Sequence, residues 1–233
     1  MTKQLRGILL DVDGTLVDSN DAQAQAWVQA LEEQGFHASF DQVRPLIGMR
    51  GDKVLPQTVG LQKESQQGQQ ISKRRKALFL SRYLPTLRAF PQAWELLQHL
   101  REQGFTLIAA SSAEPDELED LLKLIHPQAP TLFTKKTSAE DAGNSKPNPD
   151  VIQAALQQGD LQSAETLMLG DTAYDIEAAA QAGVRTIAFR CGGWSDQDLQ
   201  GAIALYDGPA DLLAHFKESP LAQGRATKQK AHS

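Results

Sequence analysis

Five short apolar runs punctuate the chain: GILL (Gly7–Leu10), FTLIAA (Phe105–Ala110), TLF (Thr131–Phe133), TLMLG (Thr166–Gly170) and RTIAF (Arg185–Phe189). None of them alternates apolar with polar residues. A strand with one wet face alternates, so unbroken runs indicate strands covered on both faces, as in a parallel sheet. Segments with helical spacing lie between them. Pro91 and Gly104 bracket one helix, in which Trp94, Leu97 and Leu100 recur at threes. Proline suits a first helical turn and glycine a left-handed cap. A second helix runs from Pro115 to Ile125, with Leu118, Leu121, Leu122 and Ile125 on one stripe. A third runs from Asn148-Pro149 to Gly159, and a fourth spans Tyr174–Ala182 before Gly183. Strand–helix alternation of this kind predicts an α/β fold with a doubly wound, Rossmann-like parallel-sheet core.

One region breaks the alternation. From Asp18 to Arg88 no strand candidate occurs, whereas Ala24, Trp27, Val28 and Leu31 mark an amphipathic helix closing at Gly35. A length of 233 residues allows one large domain or one with an insertion. The pattern predicts the second: a core from residues 1–17 and 88–217, with a small helical cap, 18–87, inserted after the first strand. From Pro220 onward the chain is polar, with three cations and no acid, which predicts a disordered tail over 218–233.

Composition narrows the function classes. Acids number 29 against 23 bases, a net charge of −6, which speaks against a nucleic-acid partner. No apolar run approaches the roughly 18 residues of a membrane span. The opening MTKQLRGILLDVD is broken by Asp11 and does not read as a secretory leader. The lone Cys191 cannot form an internal disulfide, so the expected setting is cytoplasmic.

Four segments carry chemistry. DVDGT (Asp11–Thr15) follows GILL directly. Residues i and i+2 of an extended chain project together, so Asp11 and Asp13 leave the strand end on one side. Gly14 permits a sharp turn and Thr15 can cap it. Ser111 ends FTLIAA where a strand gives way to a helix, a place where a hydroxyl and free amides can hold a phosphate oxygen. Lys146 in SKPNPD precedes a helix start, and GDTAYD (Gly170–Asp175) puts Asp171 at a strand end with Asp175 one helical turn on. Each has a plain structural reading too: an Asp-Gly turn, a serine cap, an exposed lysine, acids at a helix N-terminus. Together, however, they fall at or just beyond the C-terminal ends of predicted parallel strands, where α/β folds bind ligands. Carboxylates gathered there suit a hard divalent cation such as Mg²⁺.

In this order, DVDGT, Ser111, Lys146 in KPNPD and GDTAYD resemble the haloacid dehalogenase superfamily over roughly Gly7 to Phe216. LVDS (Leu16–Ser19) is similar to that family's usual passage into its helical cap, in the branch of phosphoglycolate phosphatase-like and β-phosphoglucomutase-like proteins. The resemblance implies a phosphatase in which Asp11 attacks phosphorus and Asp13 serves as acid and then base. It implies Mg²⁺ held by Asp11, the Asp13 backbone carbonyl and Asp171. It implies phosphate oxygens held by Ser111, Ser112, Lys146 and the loop at Gly14 and Thr15, with Asp175 orienting Lys146 or a metal-bound water. The second acid, Asp13, argues against dehalogenation, while phosphohexomutases keep both aspartates and remain open. So do two non-enzymatic readings, a phospho-accepting domain and a catalytically silent binding module. In the cap loop IGMRGDK, Gly48, Arg50 and Lys53 either meet the leaving group or are solvated, and KRRK (Lys73–Lys76) reads as a wet helix face. The expected partner is a small phosphorylated metabolite, with no nucleic acid or membrane, for a monomer or small homo-oligomer.

Overall fold

A computed structural model of the chain describes residues 4–225. Its sheet contains β1 (Gly7–Leu10), β2 (Thr106–Ala110), β3 (Lys135–Thr137), β4 (Thr166–Gly170), β5 (Arg185–Phe189) and β6 (Ala204–Tyr206). All pairings are parallel, in the order β3-β2-β1-β4-β5-β6. The chain builds outward from β1 to β3, then crosses back to β4 on the other side of β1. That reversal opens a crevice at the carboxyl ends of β1 and β4.

Between β1 and β2 every regular element is helical: α1 (Asn20–Glu32), α2 (Phe40–Val43), α3 (Gly51–Val59) and α4 (Gln66–Leu78), the last running into a π turn over Phe79–Tyr83. The chain enters and leaves this insert through two antiparallel linkers. The Asp18 amide donates to the Arg88 carbonyl at 3.0 Å and the Phe90 amide to the Leu16 carbonyl at 2.9 Å. The core helices follow: α5 (Ala93–Glu102), α6 (Pro115–Ile125), α7 (Ala129–Leu132), α8 (Asp150–Gln158), α9 (Ala173–Gln181), α10 (Pro209–Ala214) and α11 (Pro220–Arg225). Strand residues alternate between the two faces of the sheet. Ile8, Leu10, Leu107 and Leu169 pack with Leu97, Leu100, Leu118 and Leu121 of α5 and α6. Leu9, Ile108 and Met168 pack with Ile152, Ala155 and Ala178 of α8 and α9. Both faces are dry, which is why the central strands are apolar throughout.

Three expectations are corrected. TLF is not a strand: Thr131 and Leu132 close α7, and the strand is the following KKT, β3. As an edge strand pairing only with β2, it tolerates the exposed Lys135 and Lys136. RTIAF is not the last strand, because β6 adds a further half-buried edge. The predicted tail is ordered at its start. Within 218–225, α11 docks on the core, with Leu221 fully buried and the Leu5 amide donating to the Gly224 carbonyl at 3.1 Å. Residues 226–233 lie outside the described residues. A smaller difference is that α5 starts at Ala93, since Gln92 adopts φ 59° and leaves Pro91 in the preceding turn.

Register sets up the site. Leu10 stands opposite Ala109 on β2 and Leu169 on β4. Asp11, Ser111 and Asp171 therefore leave three adjacent strands at one edge, with Asp13, Asp175 and Lys146 brought in by the segments beyond.

Candidate active site

Asp11, Lys146, Asp171 and Asp175 are all buried. Lys146 Nζ lies 2.6 Å from Asp11 Oδ1 and 2.7 Å from Asp175 Oδ1, bridging the first and last motifs. Asp175 also caps α9: its Oδ2 accepts from the Thr172 amide at 3.1 Å and the Thr172 hydroxyl at 2.7 Å. Both Asp171 oxygens are engaged, Oδ1 by the Thr15 hydroxyl at 2.8 Å and Oδ2 by Asn20 Nδ2 at 2.9 Å. Gly14 is required at this junction. Its φ is 72°, and a Cβ there would collide with Asn20 and with the Asp171 carboxylate. Gly192, beyond β5, leaves no room for a Cβ for the same reason, since it too abuts Asp171.

Two carboxylates thus share one ammonium, and a third stands beside them. Ligand oxygens from Asp11, Asp171 and Asp175 lie within 4.8 Å of one another. Burial, then repulsion from Asp175, pushes the Asp171 carboxyl up to about 7, against the hydrogen bonds from Thr15 and Asn20. Burial also raises Asp11 well above the carboxylate range; Lys146 opposes this, while Asp175 and Asp171 reinforce it. For Lys146, burial acts downward, but the charges of Asp11 and Asp175 outweigh it and hold the ammonium protonated. The excess negative charge and the all-oxygen donor set fit a hard divalent cation.

The unfolded value for Asp171 is 3.8 and its folded value about 7, so the folded state binds more protons between these limits. Its contribution to stability is therefore full below about pH 4 and is lost as pH rises toward 7. In chelator, the wild type should lose a few kcal/mol relative to Asp171→Asn across that window, on the order of 5–10 °C in Tm. Thermal melts of both proteins at pH 5 and pH 8 test this, and parallel pH profiles would contradict it.

Asp13 is held apart from this cluster. Its Oδ1 accepts from the Ser19 hydroxyl at 2.5 Å and from Gln23 Nε2 at 3.0 Å. Burial and then the charge of Glu117 raise its carboxyl above the usual range, against those two hydrogen bonds. Gln23 Nε2 donates also to Glu117 Oε1 at 2.9 Å, and Arg75 Nη1 donates to both Glu117 oxygens at 2.8 and 3.0 Å. A polar chain therefore runs from Asp13 through α1 to α4 of the insert and α6 of the core. Ser19, Asn20, Gln23, Arg75, Glu117 and Gly192 all support the site without belonging to the motif residues read as catalytic. Asn20 and Gln23 had a visible signal, being polar at the spacing of the buried stripe that continues to Trp27 and Ala30.

The remaining predicted residues divide. Ser111 is buried, and its hydroxyl accepts from the Ala113 amide at 3.1 Å. The Ser112 hydroxyl donates to the Gly48 carbonyl at 3.0 Å, tying the insert loop to the core. Gly48, at φ 106°, packs against Thr172 and Tyr174. Arg50 donates to the Ala139 carbonyl, and to the Ala142 carbonyl at 3.2 Å. Lys53 makes no ion pair among the described residues and does not share the cavity lined by Arg50. The KRRK helix is not simply a wet face. Arg74 pairs outward with Glu33, whereas Lys73, Arg75 and Lys76 line a cavity. Cys191, half-buried beside the Gly14 carbonyl, has its thiol pushed up to about 12 by burial and then by Asp171, which favours the protonated thiol over the thiolate. Among the described residues no helix is long and apolar enough to cross a membrane.

Comparison with known proteins bears on the same residues. The model of the haloacid dehalogenase-like hydrolase family matches residues 8–189, from β1 to the end of β5. Phosphoglycolate phosphatase of Vibrio vulnificus is 29% identical over 202 residues, covering 82% of this chain and 87% of that one. A hydrolase of known structure from Pseudomonas syringae superposes with a TM-score of 0.84 at 27% identity, over 91% of this chain and 98% of that one. β-Phosphoglucomutase of Clostridium difficile gives a TM-score of 0.79 at 16% identity, over 92% and 96% of the two chains, a likeness of fold.

Proposed function

The chain belongs to the haloacid dehalogenase-like hydrolases, and from that premise we propose that it is a Mg²⁺-dependent phosphomonoester hydrolase acting on a small phosphorylated metabolite. The observation that carries this reading is the division of labour between two acids at one sheet edge. Asp11 faces Lys146 at 2.6 Å, while Asp13 sits two residues on in its own hydrogen-bonded pocket with a raised pKa.

In this reading an Asp11 oxygen attacks phosphorus and the ester oxygen departs, taking its proton from Asp13. The raised pKa of Asp13 favours the protonated form that this step needs. Asp13 then accepts a proton from the water that attacks the aspartyl-phosphate, releasing inorganic phosphate and restoring the Asp11 carboxylate. Lys146, Ser111 and the loop amides around Gly14 and Thr15 hold the equatorial oxygens. Bound by Asp11, Asp171 and the Asp13 carbonyl, Mg²⁺ would offset the like charges of carboxylate and phosphate. Asp175 fixes Lys146 in place. The helical insert serves as a cap over residues 18–87, and the free thiol of Cys191 suits a reducing, cytoplasmic setting.

The test is phosphate release from p-nitrophenyl phosphate and a panel of phosphorylated metabolites, with and without Mg²⁺. Release that requires Mg²⁺ and stops in chelator is expected. Conversion of a sugar 1-phosphate to its 6-phosphate without free phosphate would favour a phosphomutase, which uses the same two aspartates. Metal-independent release would overturn the proposed role of the carboxylate cluster.

A further inference from the structure

Asn20 opens α1, the first helix of the insert, yet its side chain does not serve that helix. Ser19, the residue in the N-cap position, makes no side-chain cap either; its hydroxyl donates to Asp13. Serine and asparagine at a helix start usually turn back onto the free amides. In this chain both are committed to the site instead. Asn20 Nδ2 donates to Asp171 Oδ2 at 2.9 Å and to the Gly192 carbonyl at 3.1 Å. Asn20 Oδ1 is buried without a hydrogen-bond partner among the described residues. The amide is nevertheless fixed in this sense, because turning it over would set Oδ1 against a carboxylate and a carbonyl, two acceptors.

The consequence falls on Asp171, whose two oxygens are not equivalent. Oδ1 accepts from the Thr15 hydroxyl, whose oxygen also lies 3.3 Å from Asp11 Oδ2, so Oδ1 is the oxygen on the Asp11 side. Oδ2 is walled in. Asn20 Nδ2 occupies it, and Gly14 and Gly192 pack so closely that a Cβ on either would strike it. Asp171 therefore has one oxygen to offer a cation. Mg²⁺ demands about six oxygens in a near-ideal octahedron, a geometry that the close oxygen pair of a single carboxylate strains. Ca²⁺ takes about six to eight in a looser shell and readily accepts both oxygens of one carboxylate.

We propose that Asn20 is a metal-selectivity residue: by pinning Asp171 Oδ2 it restricts Asp171 to single-oxygen ligation and so favours Mg²⁺ over Ca²⁺. This rests on the metal-dependent reading above. Asn20 acts through Asp171, as a positioning residue and not as a ligand. Removing its amide frees Oδ2 and opens space beside it. The restriction is then relaxed while Asp11, Asp171 and the Asp13 carbonyl all remain in the chain.

The experiment reads binding of the metal alone. Melting temperatures of the full chain, recorded without substrate against Mg²⁺ and against Ca²⁺ concentration, yield a dissociation constant for each ion. The wild type should prefer Mg²⁺, and Asn20→Ala should shrink that preference about tenfold or more. Asn20→Asp keeps the shape but sets acceptors beside Oδ2, so it should shrink the preference further, and it carries the test if Asn20→Ala does not fold. Gln23→Ala, also buried on α1 but hydrogen-bonded to Asp13 and Glu117, should leave the preference unchanged. A merely structural role weakens both ions in parallel. A wild type without preference for Mg²⁺, a preference that neither Asn20 variant lowers, or an equal fall in Gln23→Ala would each overturn the assignment. Its failure is distinct from that of the phosphatase reading. Mg²⁺-dependent phosphate release from p-nitrophenyl phosphate with an unaltered ion preference removes the role of Asn20 and leaves the phosphatase. An altered preference with no phosphate release from any ester does the reverse. If neither ion raises the melting temperature of the wild type, the metal-dependent reading and the role of Asn20 fall together.

Discussion

Asp11→Asn should abolish turnover, with phosphate release from p-nitrophenyl phosphate lowered on the order of 10⁴-fold or more, the scale seen when a covalent nucleophile is removed. The amide has nearly the carboxylate's shape but cannot form the acyl-phosphate. The variant is also informative about stability. In the wild type, Asp11 is a buried carboxyl whose ionisation is opposed first by burial, then by Asp175 and Asp171, with Lys146 chiefly in its favour. Neutralising it removes one of three crowded negative charges and leaves Lys146 paired with Asp175 at 2.7 Å. The melting temperature in chelator should therefore match or exceed that of the wild type. Activity above about 1% of wild type would show that another group attacks phosphorus, and a collapsed melting temperature would make the loss of activity uninterpretable. Kinetics and melts belong on the same preparation.

Removing the ammonium has the opposite signature. Lys146→Met leaves Asp11 and Asp175 facing each other without a cation, and truncating one partner of a buried ion pair costs about 3–5 kcal/mol. Turnover should disappear at the same time. The loss depends on pH in a defined direction. Without Lys146 the already raised carboxyls of Asp11 and Asp171 lose a charge that holds them down, so the folded protein regains stability by taking up protons as pH falls. Urea unfolding in chelator should show a large deficit at pH 8 and a smaller one at pH 5, and added Mg²⁺ should recover part of it. The double variant Lys146→Met, Asp175→Asn separates structure from chemistry: stability should return toward wild type while turnover stays absent. Wild-type stability of Lys146→Met at pH 8 would mean that the cluster does not carry the charge assigned to it.

The central strands are legible in the sequence because burial on both faces allows only apolar residues. Gly7–Leu10, Thr166–Gly170 and Arg185–Phe189 are read without error. The edges are not legible, for the complementary reason. A strand paired on one side needs little apolar character, so KKT carries β3 while the more hydrophobic TLF beside it contributes to α7 and the turn that follows. At the site, Asp11, Lys146, Asp171 and Asp175 are readable because each lies just past a strand or at a helix start. The chain from Asp13 to Arg75 is different. Arg75 and Glu117 are 42 residues apart and cancel each other's charge across the boundary between insert and core. In the sequence they look like two unrelated solvated residues. Which face of KRRK is dry is likewise decided by tertiary neighbours, Glu33 on one side and the cavity on the other. The start of the tail is misread because its polar composition hides Leu221, a single side chain that fastens α11.

That fastening has a practical corollary. Leu5 hydrogen-bonds Gly224, and the Arg225 guanidinium stacks 4.7 Å over the Phe105 ring, so residues 5 and 225 meet beside the starts of β1 and β2. In a parallel sheet all strands start at one rim and end at the other, and the acids occupy the finishing rim. The two ends of the described chain are thus moored together at the pole farthest from the crevice. A purification tag, a surface tether or a fused reporter joined through either end would hang from that pole, leaving the mouth of the crevice free to exchange substrate and product.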